Sequence, residues 1–478
     1  MLFNSIFFLF VFFPVVTGVY YLLGQRFRWA WLLLASCYFY MGFIPKYILI
    51  LAFTITIDYF SGIWIEKLHG HKKKYFLILS ILSNIGVLFI FKYFNFFNQN
   101  LSALARLLHW NYGISSLSLI LPIGLSFHTF QSLSYIIEVY RGKQKAERHY
   151  GIFALYVMFY PQLVAGPIER PRHLLRQFYE EHKLELRQFM AGMRLIIWGL
   201  FKKVVIADRL SGFVNQIFND AHSYSGPYFL LATFFFAFQI YCDFSGYSDM
   251  AKGLAKTLGF DLMVNFDAPY FSKSVQEFWR RWHISLSSWF RDYVYFPLGG
   301  SRVRPLRWAL NIAVVFLISG LWHGANWTYV LWGLTLGLCL ILSVATRKLR
   351  DTLWQKSGLS YFKFLRSAVQ TILTFMLICG AWILFRSATI SDAYYIFKQI
   401  LLSGYHLTTL MPFIYHYLNS VIVSFAAIIF LLIADYLLSQ KKFDQVSVPL
   451  QLFAFSMLII IICLIGRFTN EPFIYFQF

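Results

Sequence analysis

The sequence predicts an all-α protein that crosses a membrane many times. Hydrophobic residues make up 59% of the 478 positions and charged residues only 13%, and the mean hydropathy is +0.59. A soluble chain of this length needs far more polar surface to cover its core. Apolar runs near or above the roughly 18–20 residues that span a bilayer recur from end to end. These runs are continuously apolar rather than alternating, which excludes a transmembrane β-barrel.

We predict about 11–13 membrane spans, with amphipathic and re-entrant helices around a central channel. The spans are expected near residues 2–24, 29–44, 46–65, 75–98, 113–137, 150–168, 189–207, 226–247, 308–320, 322–345, 367–386, 419–438 and 447–466. The sequence predicts amphipathic surface helices at residues 170–188 and 273–297. Residues 1–478 are expected to form one integral-membrane domain, with its motifs in about 121–345 and C-terminal spans in 367–478.

The formal charge of +21 comes from 42 basic and 21 acidic residues. The basic residues gather in short connections at 25–28, 66–74, 141–149 and 346–351, as expected for cytoplasmic loops. We therefore interpret the charge as a topology signal that also favours anionic lipid headgroups, and we expect no nucleic-acid partner. The N-terminal run has no basic region and no cleavage site, so it predicts a retained first span.

Two stretches interrupt the helical pattern. Pro122 and Gly124 interrupt the run at 121–142, and three prolines occupy the segment YPQLVAGPIERP at 160–171. A regular helix cannot continue through such a segment. Broken helices at membrane depth often line a cavity, but a re-entrant turn of purely structural use is an equally good interpretation for 160–171.

Charged residues beside apolar spans offer two further candidates. Lys202 and Lys203 lie in GLFKKVVIADRL, where lysines usually extend to the headgroups; binding the phosphates of a cosubstrate is the alternative. Asp243 and Asp249 lie in QIYCDFSGYSDMAKGLA and need partners or water at that depth. We favour pairing with the arginines of 280–291 over direct chemistry.

Two histidines are the main candidates for chemistry. His283 lies among tryptophans and arginines in QEFWRRWHISLSSWFRD, and His323 lies in the apolar stretch SGLWHGANW. A histidine can take and give a proton near neutral pH. Small residues after His323 favour open space beside its ring, and Asn326 is placed to orient the imidazole or a substrate oxygen. Simple packing, for His323, and an interfacial helix, for His283, are the alternatives.

Motifs of other enzyme classes are missing. The five cysteines are single and have no metal spacing, so no zinc site or disulfide framework is indicated. No GxSxG elbow, HExxH, P-loop or GxGxxG stands in its required context. A proton-coupled transporter remains open at this point, because intramembrane acids and histidines also serve such proteins.

Six segments occur in a familiar order: LPIGLSFHTFQSLSYIIEVYRG, YPQLVAGPIERP, GLFKKVVIADRL, QIYCDFSGYSDMAKGLA, VNFDAPYFSKSVQEFWRRWHISLSSWFRDYVYFPLGGSR and SGLWHGANWTYVLWG. In this the chain resembles the membrane-bound O-acyltransferase family, and within it the bacterial members that acylate alginate, peptidoglycan or teichoic acids. The start LFNSIFFLFVFFPVV and WILFRS at 382–387 extend the resemblance over nearly the whole chain. His128 stands where another aromatic residue is expected, so no role is transferred to it.

The resemblance implies acyl transfer from a cytoplasmic thioester towards an acceptor across the membrane. It makes His323 the principal catalytic residue and His283 the second. Acetyl-CoA is the expected acyl donor, and no metal is expected. Residues proposed to bind the donor are Lys202, Lys203, Arg280 and Arg281, and residues proposed to line or support the channel are Asn326, Trp322, Asp243, Asp249 and Arg291.

The nearly unbroken QEFWRRWHISLSSWFRDYVYFPLGG favours acetylation of an exported polysaccharide of the alginate or peptidoglycan type. A periplasmic or secreted SGNH-type acetyltransferase is the expected partner, and the bacterial cytoplasmic membrane is the expected location. D-alanyl transfer from a carrier protein to teichoic acid is the first alternative, and transport without chemistry is a distant one. Cys242, Ser245 and Ser248 are candidates for a covalent acyl intermediate, although a structural role is favoured for each.

Overall fold

The computed structural model describes residues 1–357, 362–404, 407–439, 447–468 and 473–474. Throughout these ranges the regular structure is helical and no strand occurs, which confirms the all-α prediction. The chain divides into two compact units: Met1–Ile196 with Tyr247–Met263, and Ile197–Gly246 with Val264–Phe478. We call them unit 1 and unit 2. The expectation of a single integral-membrane domain stays a prediction.

The helices are joined by connections of different lengths, with long ones at 108–124 and 258–274. In chain order they are α1 Phe13–Leu22, α2 Gln25–Met41, α3 Ile48–Lys67, α4 Lys72–Leu88, α5 Phe94–Leu107, α6 Leu125–Tyr140, α7 Tyr150–Met158, α8 Tyr160–Leu163, α9 Pro171–Gln177, α10 Leu186–Leu200, α11 Asp208–Asn219, α12 Gly226–Thr257, α13 Val275–Arg281, α14 Ile284–Phe290, α15 Pro305–His323, α16 Trp327–Ala345, α17 Arg347–Lys356, α18 Lys363–Arg386, α19 Ile390–Leu402, α20 Leu407–His416, α21 Leu418–Ser439 and α22 Val448–Ile465. A π-helical segment, Phe201–Ala207, joins α10 to α11.

Within the described residues, seven helices are long and apolar enough to cross a membrane: Pro45–Lys67, Lys72–Leu107, Gly226–Thr257, Pro305–His323, Trp327–Ala345, Lys363–Arg386 and Leu418–Ser439. Two shorter apolar helices, Phe8–Leu22 and Pro449–Ile465, fall below that length. The protein is therefore a multi-pass membrane protein. Several of the 11–13 predicted spans are shorter or broken, because sequence hydropathy does not reveal where a buried apolar run stops being helical.

The predicted interruptions at glycine and proline are confirmed. In unit 1, Gly124 has φ 75° immediately before α6, and a β-carbon there would lie 2.7 Å from the Leu163 carbonyl oxygen. Only glycine combines that backbone conformation with that close approach. The proline-rich segment breaks into the single turn of α8 and the short α9.

The two predicted amphipathic surface helices are wrong in length. The segment 170–188 is helical only over α9, Pro171–Gln177, before α10 begins at Leu186. The segment 273–297 divides into α13 and α14, and His283 stands between them with φ 44°. Helical spacing therefore does not hold across this stretch, because a left-handed residue turns the chain.

The helical hairpin of α15 and α16 in unit 2 depends on glycines at its contact face. A β-carbon on Gly320 would lie 2.4 Å from the Tyr329 carbonyl oxygen, and one on Gly333 would lie 2.3 Å from the Phe316 carbonyl oxygen. Small residues allow helices to pack at such close range in membranes, where no hydrophobic effect drives them together. This packing places the last residue of α15, His323, beside the first turns of α16.

We expect Gly333→Ala to destabilise the protein by about 1–3 kcal/mol, because the added methyl group must push α15 and α16 apart. The matched control is Gly380→Ala in α18, where a β-carbon meets no atom within 4 Å. Thermal unfolding of detergent-purified protein measures both. Equal unfolding midpoints for the two variants would contradict the close packing inferred here.

Candidate active site

His283 occupies a strained position between two short helices. It is 1% exposed, and its backbone, at φ 44° and ψ 55°, is left-handed. A non-glycine residue in this conformation costs free energy and is retained when its surroundings impose it, most often at functional sites. Here the neighbouring backbone is held by two hydrogen bonds: Ile284 N–H donates to the Asn265 carbonyl at 2.9 Å, and Asp267 N–H donates to the Arg281 carbonyl at 3.0 Å.

The side chain of Asn265 selects the tautomer of His283. Its Oδ1 lies 3.0 Å from His283 Nδ1 and also accepts hydrogen bonds from the Ser285 N–H and hydroxyl. Since a backbone N–H identifies Oδ1 as the oxygen, and an oxygen only accepts, Nδ1 of His283 carries the proton. Burial lowers the pKa of His283, which lies outside the membrane-spanning helices, to about 3. The imidazole is therefore neutral, with its lone pair on Nε2.

Aromatic rings fix the remaining faces of His283. Phe244 of α12 meets it edge-on at 4.6 Å between centroids, and Phe266 stacks at 6.4 Å. Trp322 of α15 lies 6.1 Å away. These contacts restrict rotation of the imidazole, so its orientation is set before any substrate arrives.

His323 is the last residue of α15 and is 3% exposed. Its ring lies 4.8 Å from Trp322, 4.9 Å from Trp332 of α16 and 5.5 Å from Phe385 of α18. These three rings give the histidine an apolar enclosure. Such an environment excludes water and strengthens any electrostatic interaction with a reacting group.

The two histidines meet at one residue. Both imidazoles contact Trp322, and both belong to unit 2. The aromatic wall continues through Trp382, which lies 5.1 Å from Trp282 and 5.8 Å from Trp332. The structure therefore brings together the two residues on which the sequence analysis concentrated, and it gives the predicted supporting residue Trp322 the position between them.

The residues that follow His323 have contacts that differ from those expected. A β-carbon on Gly324 would lie 2.2 Å from the ring of Tyr329, so the small residue receives a packed ring rather than leaving open space. Asn326 caps α16: its Oδ1 accepts from Thr328 N–H at 3.1 Å, and its Nδ2 donates to the Ala388 carbonyl at 3.0 Å. The Asn326 amide is thus directed to the backbone of α16 and of the residues that follow α18, rather than to the imidazole.

The pairing expected for Asp243 is wrong. Its carboxylate lies 2.7 Å from Lys203 Nζ, and the same ammonium lies 2.8 Å from Asp208. All three side chains are buried, and two of them come from the neighbouring segments Phe201–Ala207 and α11. Asp243 therefore pairs with Lys203, which precedes it in the chain, and not with the arginines of 280–291.

The remaining predicted cosubstrate residues lie in different settings. Lys202 is buried, donates to the Ser245 hydroxyl at 3.2 Å and lies over the rings of Trp198 and Tyr241. Arg281 pairs with Glu277 at 2.9 Å, and Arg280 is exposed. Their roles in binding a donor stay predictions.

Arg291 and Asp249 are the remaining predicted supporting residues, and their roles stay predictions. Arg291 is exposed and pairs with its neighbour Asp292 at 2.9 Å. Asp249 is half-buried in the part of α12 that belongs to unit 1. Among the residues that the structure describes, no group of three or more His, Cys, Asp or Glu side chains is arranged to hold a metal ion.

Sequence reasoning missed several residues of the site. Asn265 stands in the motif VNFDAPYF, and its contact with His283 needs the turn between α13 and α14. Phe244, Trp332 and Phe385 enclose the histidines from three separate helices. Nothing in their own spacing distinguishes them from ordinary core residues, so only the packed structure identifies them.

Comparison with known proteins identifies the family of this chain. Residues 149–385 match the model of the membrane-bound O-acyltransferase family, a range that includes both histidines. The chain is 37% identical over 410 residues to the probable alginate O-acetylase AlgI of Pseudomonas aeruginosa, covering 84% of this chain and 75% of that protein. The chain belongs to the membrane-bound O-acyltransferase family. It is an O-acyltransferase.

Two further relatives are named for the acylation of two different polymers. The chain is 35% identical over 458 residues to the peptidoglycan O-acetyltransferase of Helicobacter pylori, covering 88% of this chain and 84% of that protein. It is 29% identical over 253 residues to the teichoic acid D-alanyltransferase of Streptococcus thermophilus, covering 49% of this chain and 60% of that protein. Similarity is therefore more extensive to the two O-acetylating relatives.

We expect Asn265→Ala to lower kcat of the acyl transfer by roughly tenfold or more, because a displaced or flipped catalytic ring costs up to about a hundredfold in rate. The matched control is Asn311→Ala, which removes another buried amide of unit 2, one that donates to the Leu298 and Gly300 carbonyls. Turnover per folded molecule distinguishes the two. If both variants lose activity only in proportion to lost folded protein, Asn265 does not orient His283.

Proposed function

We propose that this O-acyltransferase moves an acetyl group from cytoplasmic acetyl-CoA across the bacterial cytoplasmic membrane, for O-acetylation of an exported polysaccharide of the alginate or peptidoglycan type. The single observation that carries this proposal is the convergence of His283 and His323 on Trp322 in a buried aromatic enclosure. The extensive similarity to proteins named as alginate and peptidoglycan O-acetylating enzymes supports the acetyl group and the class of acceptor.

In the proposed reaction His323 acts as general base. It takes the proton of the acceptor hydroxyl as that oxygen attacks the thioester carbonyl carbon. The bond between that carbon and sulfur then breaks, and the departing thiolate takes the proton that His323 accepted, which leaves an ester on the acceptor, a free thiol on coenzyme A and a neutral His323. General-base assistance of this kind contributes roughly 10²–10⁴ in rate.

His283 has a different role in this proposal. Because its Nδ1–H is directed to Asn265, its Nε2 presents a lone pair, which accepts a hydrogen bond and does not donate one. This favours holding another hydrogen-bond donor of the acceptor over stabilisation of negative charge on the thioester oxygen. The reacting hydroxyl has a single proton, which it donates to His323, so the two histidines act on different groups of the bound acceptor.

The aromatic enclosure protects the thioester in this proposal. Trp322, Trp332 and Phe385 surround His323. Trp382 packs behind them against Trp332 and Phe385, so water has few polar groups to approach. A site that admits bulk water would hydrolyse the activated acyl group instead of transferring it.

Binding of the donor phosphates is proposed for exposed basic residues such as Arg280 rather than for Lys203. The Lys203 ammonium lies against two carboxylates, so the cluster carries one more negative than positive charge and disfavours a phosphate. Lys202 is held by a hydroxyl and two aromatic rings, which leaves its cationic head a poorer candidate than an exposed guanidinium. Arg281 shares its charge with Glu277.

The acceptor side of the proposal requires a second protein. We propose that a periplasmic or secreted SGNH-type acetyltransferase receives the acetyl group and modifies the polysaccharide. Anionic lipids are proposed to contact the basic connections, in keeping with the charge asymmetry of the sequence.

D-alanyl transfer from a carrier-protein thioester to teichoic acid is the second candidate function. The observation in its favour is the similarity to the teichoic acid D-alanyltransferase of Streptococcus thermophilus. Both functions use the same histidine chemistry on a thioester, so the geometry of the histidine pair is compatible with either donor.

We expect His323→Ala and His323→Gln to lower acetyl transfer by roughly 10²–10⁴ while the protein still inserts and folds, because both remove the base. The control is His222→Gln, an exposed histidine of unit 2 that contacts Tyr395 and Asp392. Turnover is measured with radiolabelled acetyl-CoA in membranes of matched protein content. Near-normal turnover in both His323 variants would remove this residue from the catalytic role.

The donor is identified by comparing the consumption of two thioesters. Membranes that contain the protein are offered radiolabelled acetyl-CoA and, in parallel, a carrier protein loaded with radiolabelled D-alanine. We expect consumption of acetyl-CoA that depends on His323. Consumption of the D-alanyl thioester alone would establish the second candidate instead, and movement of a solute with neither thioester consumed would indicate transport.

A further inference from the structure

The buried carboxylate of Asp243 has a second contact beyond its ion pair. While Oδ1 faces Lys203, Oδ2 accepts a hydrogen bond from the Ile474 backbone N–H at 2.7 Å. Both residues are buried, with 3% exposure for Asp243 and 4% for Ile474. An acid at the centre of α12 thus holds the backbone of the segment that follows α22. A charged acceptor makes this hydrogen bond stronger than a neutral one would.

We call the described residues after α22, 466–468 and 473–474, the distal segment. This segment is also held near its start. Arg467 N–H donates to the Val204 carbonyl at 2.8 Å, and the Arg209 guanidinium donates to the Ile465 carbonyl. A β-carbon on Gly466 would lie 3.1 Å from Val204 Cγ2. The residues that leave α22 therefore pack on the π-helical segment that carries Lys203.

The distal segment contacts a residue that touches His283. Phe473 is 1% exposed and lies 5.6 Å from Phe244, and Phe244 meets the His283 ring edge-on at 4.6 Å. Phe244 follows Asp243 directly in α12. Asp243 thus binds the backbone of Ile474. The next residue, Phe244, lies between the Phe473 ring and the His283 imidazole.

We propose that the segment at Phe473–Ile474 is a positioning element of the active site: Asp243 anchors its backbone, and Phe473 holds Phe244 against His283. His283 is then supported on two sides, by the Asn265 hydrogen bond and by the Phe244 ring. A left-handed residue needs such support, because its own backbone conformation is unfavourable. The proposal assigns Asp243 to positioning and rests on the acyl-transfer function proposed above.

The Ile474 backbone donor is tested by a matched pair of variants. Ile474→Pro removes the N–H and keeps an apolar side chain, whereas Ile474→Ala keeps the N–H and removes most of the side chain. We expect the proline variant to lose roughly tenfold or more in kcat, with KM for the donor nearly unchanged. We expect the alanine variant to keep its turnover per folded molecule within about twofold of wild type, although loss of the buried side chain lowers its stability. Equal effects of the two would overturn the role of the Asp243 hydrogen bond.

The Phe473 ring is tested against a phenylalanine of the same segment. We expect Phe473→Ala to lower kcat and Phe468→Ala, whose ring is 49% exposed, to leave it unchanged. Thermal unfolding of each detergent-purified variant reports lost stability separately. A fall in stability with normal turnover per folded molecule would mean that the segment stabilises the fold only, and the Ile474 pair still decides if Phe473→Ala does not fold.

A double-mutant cycle separates positioning from a general structural effect. If Phe473 acts through His283, Phe473→Ala lowers the residual rate of the His283→Ala protein no further. Independent losses that multiply would overturn the proposal. The cycle is run with whichever thioester the wild-type protein consumes. If the wild type does not use acetyl-CoA, the proposed donor is wrong, but the comparison of the four proteins still tests the role of Phe473.

Discussion

The cost of placing polar groups in an apolar interior governs unit 2. A charge or an imidazole there is tolerated only when specific partners compensate its lost hydration. Lys203 is compensated by Asp208 and Asp243, and Asp243 in turn by a backbone N–H. His283 is compensated by Asn265. These pairs require the π-helical segment to lie beside α12, and the turn between α13 and α14 to lie beside Asn265.

Close packing provides the second half of the arrangement. Gly320 and Gly333 let α15 and α16 approach until backbone meets backbone, and the ring of Tyr329 occupies the space above Gly324. The hairpin therefore presents His323 at a helix end that is rigid and dry. Tryptophans and phenylalanines supply the walls because their large rings exclude water while presenting few polar atoms that need partners. Catalytic groups held this way lose little freedom when substrate binds.

The backbone conformation of His283 connects these two features. A left-handed histidine interrupts what the sequence predicts as one amphipathic helix, and its imidazole packs against Phe244, Phe266 and Trp322. The interruption is supported by hydrogen bonds from the extended segment that contains Asn265 and Asp267. A residue strained in this way is informative about function, because neighbouring contacts of unit 2 maintain a conformation that the chain alone disfavours.

The sequence by itself determined the all-α membrane class, the family and the two histidines. The high hydrophobic content limits the fold to a membrane protein, and the ordered motifs identify the family because they can be read directly from the residues. It did not determine the number of long spans, because a run such as 150–168 is equally apolar whether its helix continues or breaks. Only the tertiary structure decided that Asp243 meets Lys203, that Asn326 caps a helix and that Asn265 orients His283. The contacts of Asp243 and Asn265 join residues from separate segments of the chain, and their geometry depends on how backbones pack rather than on spacing along the sequence.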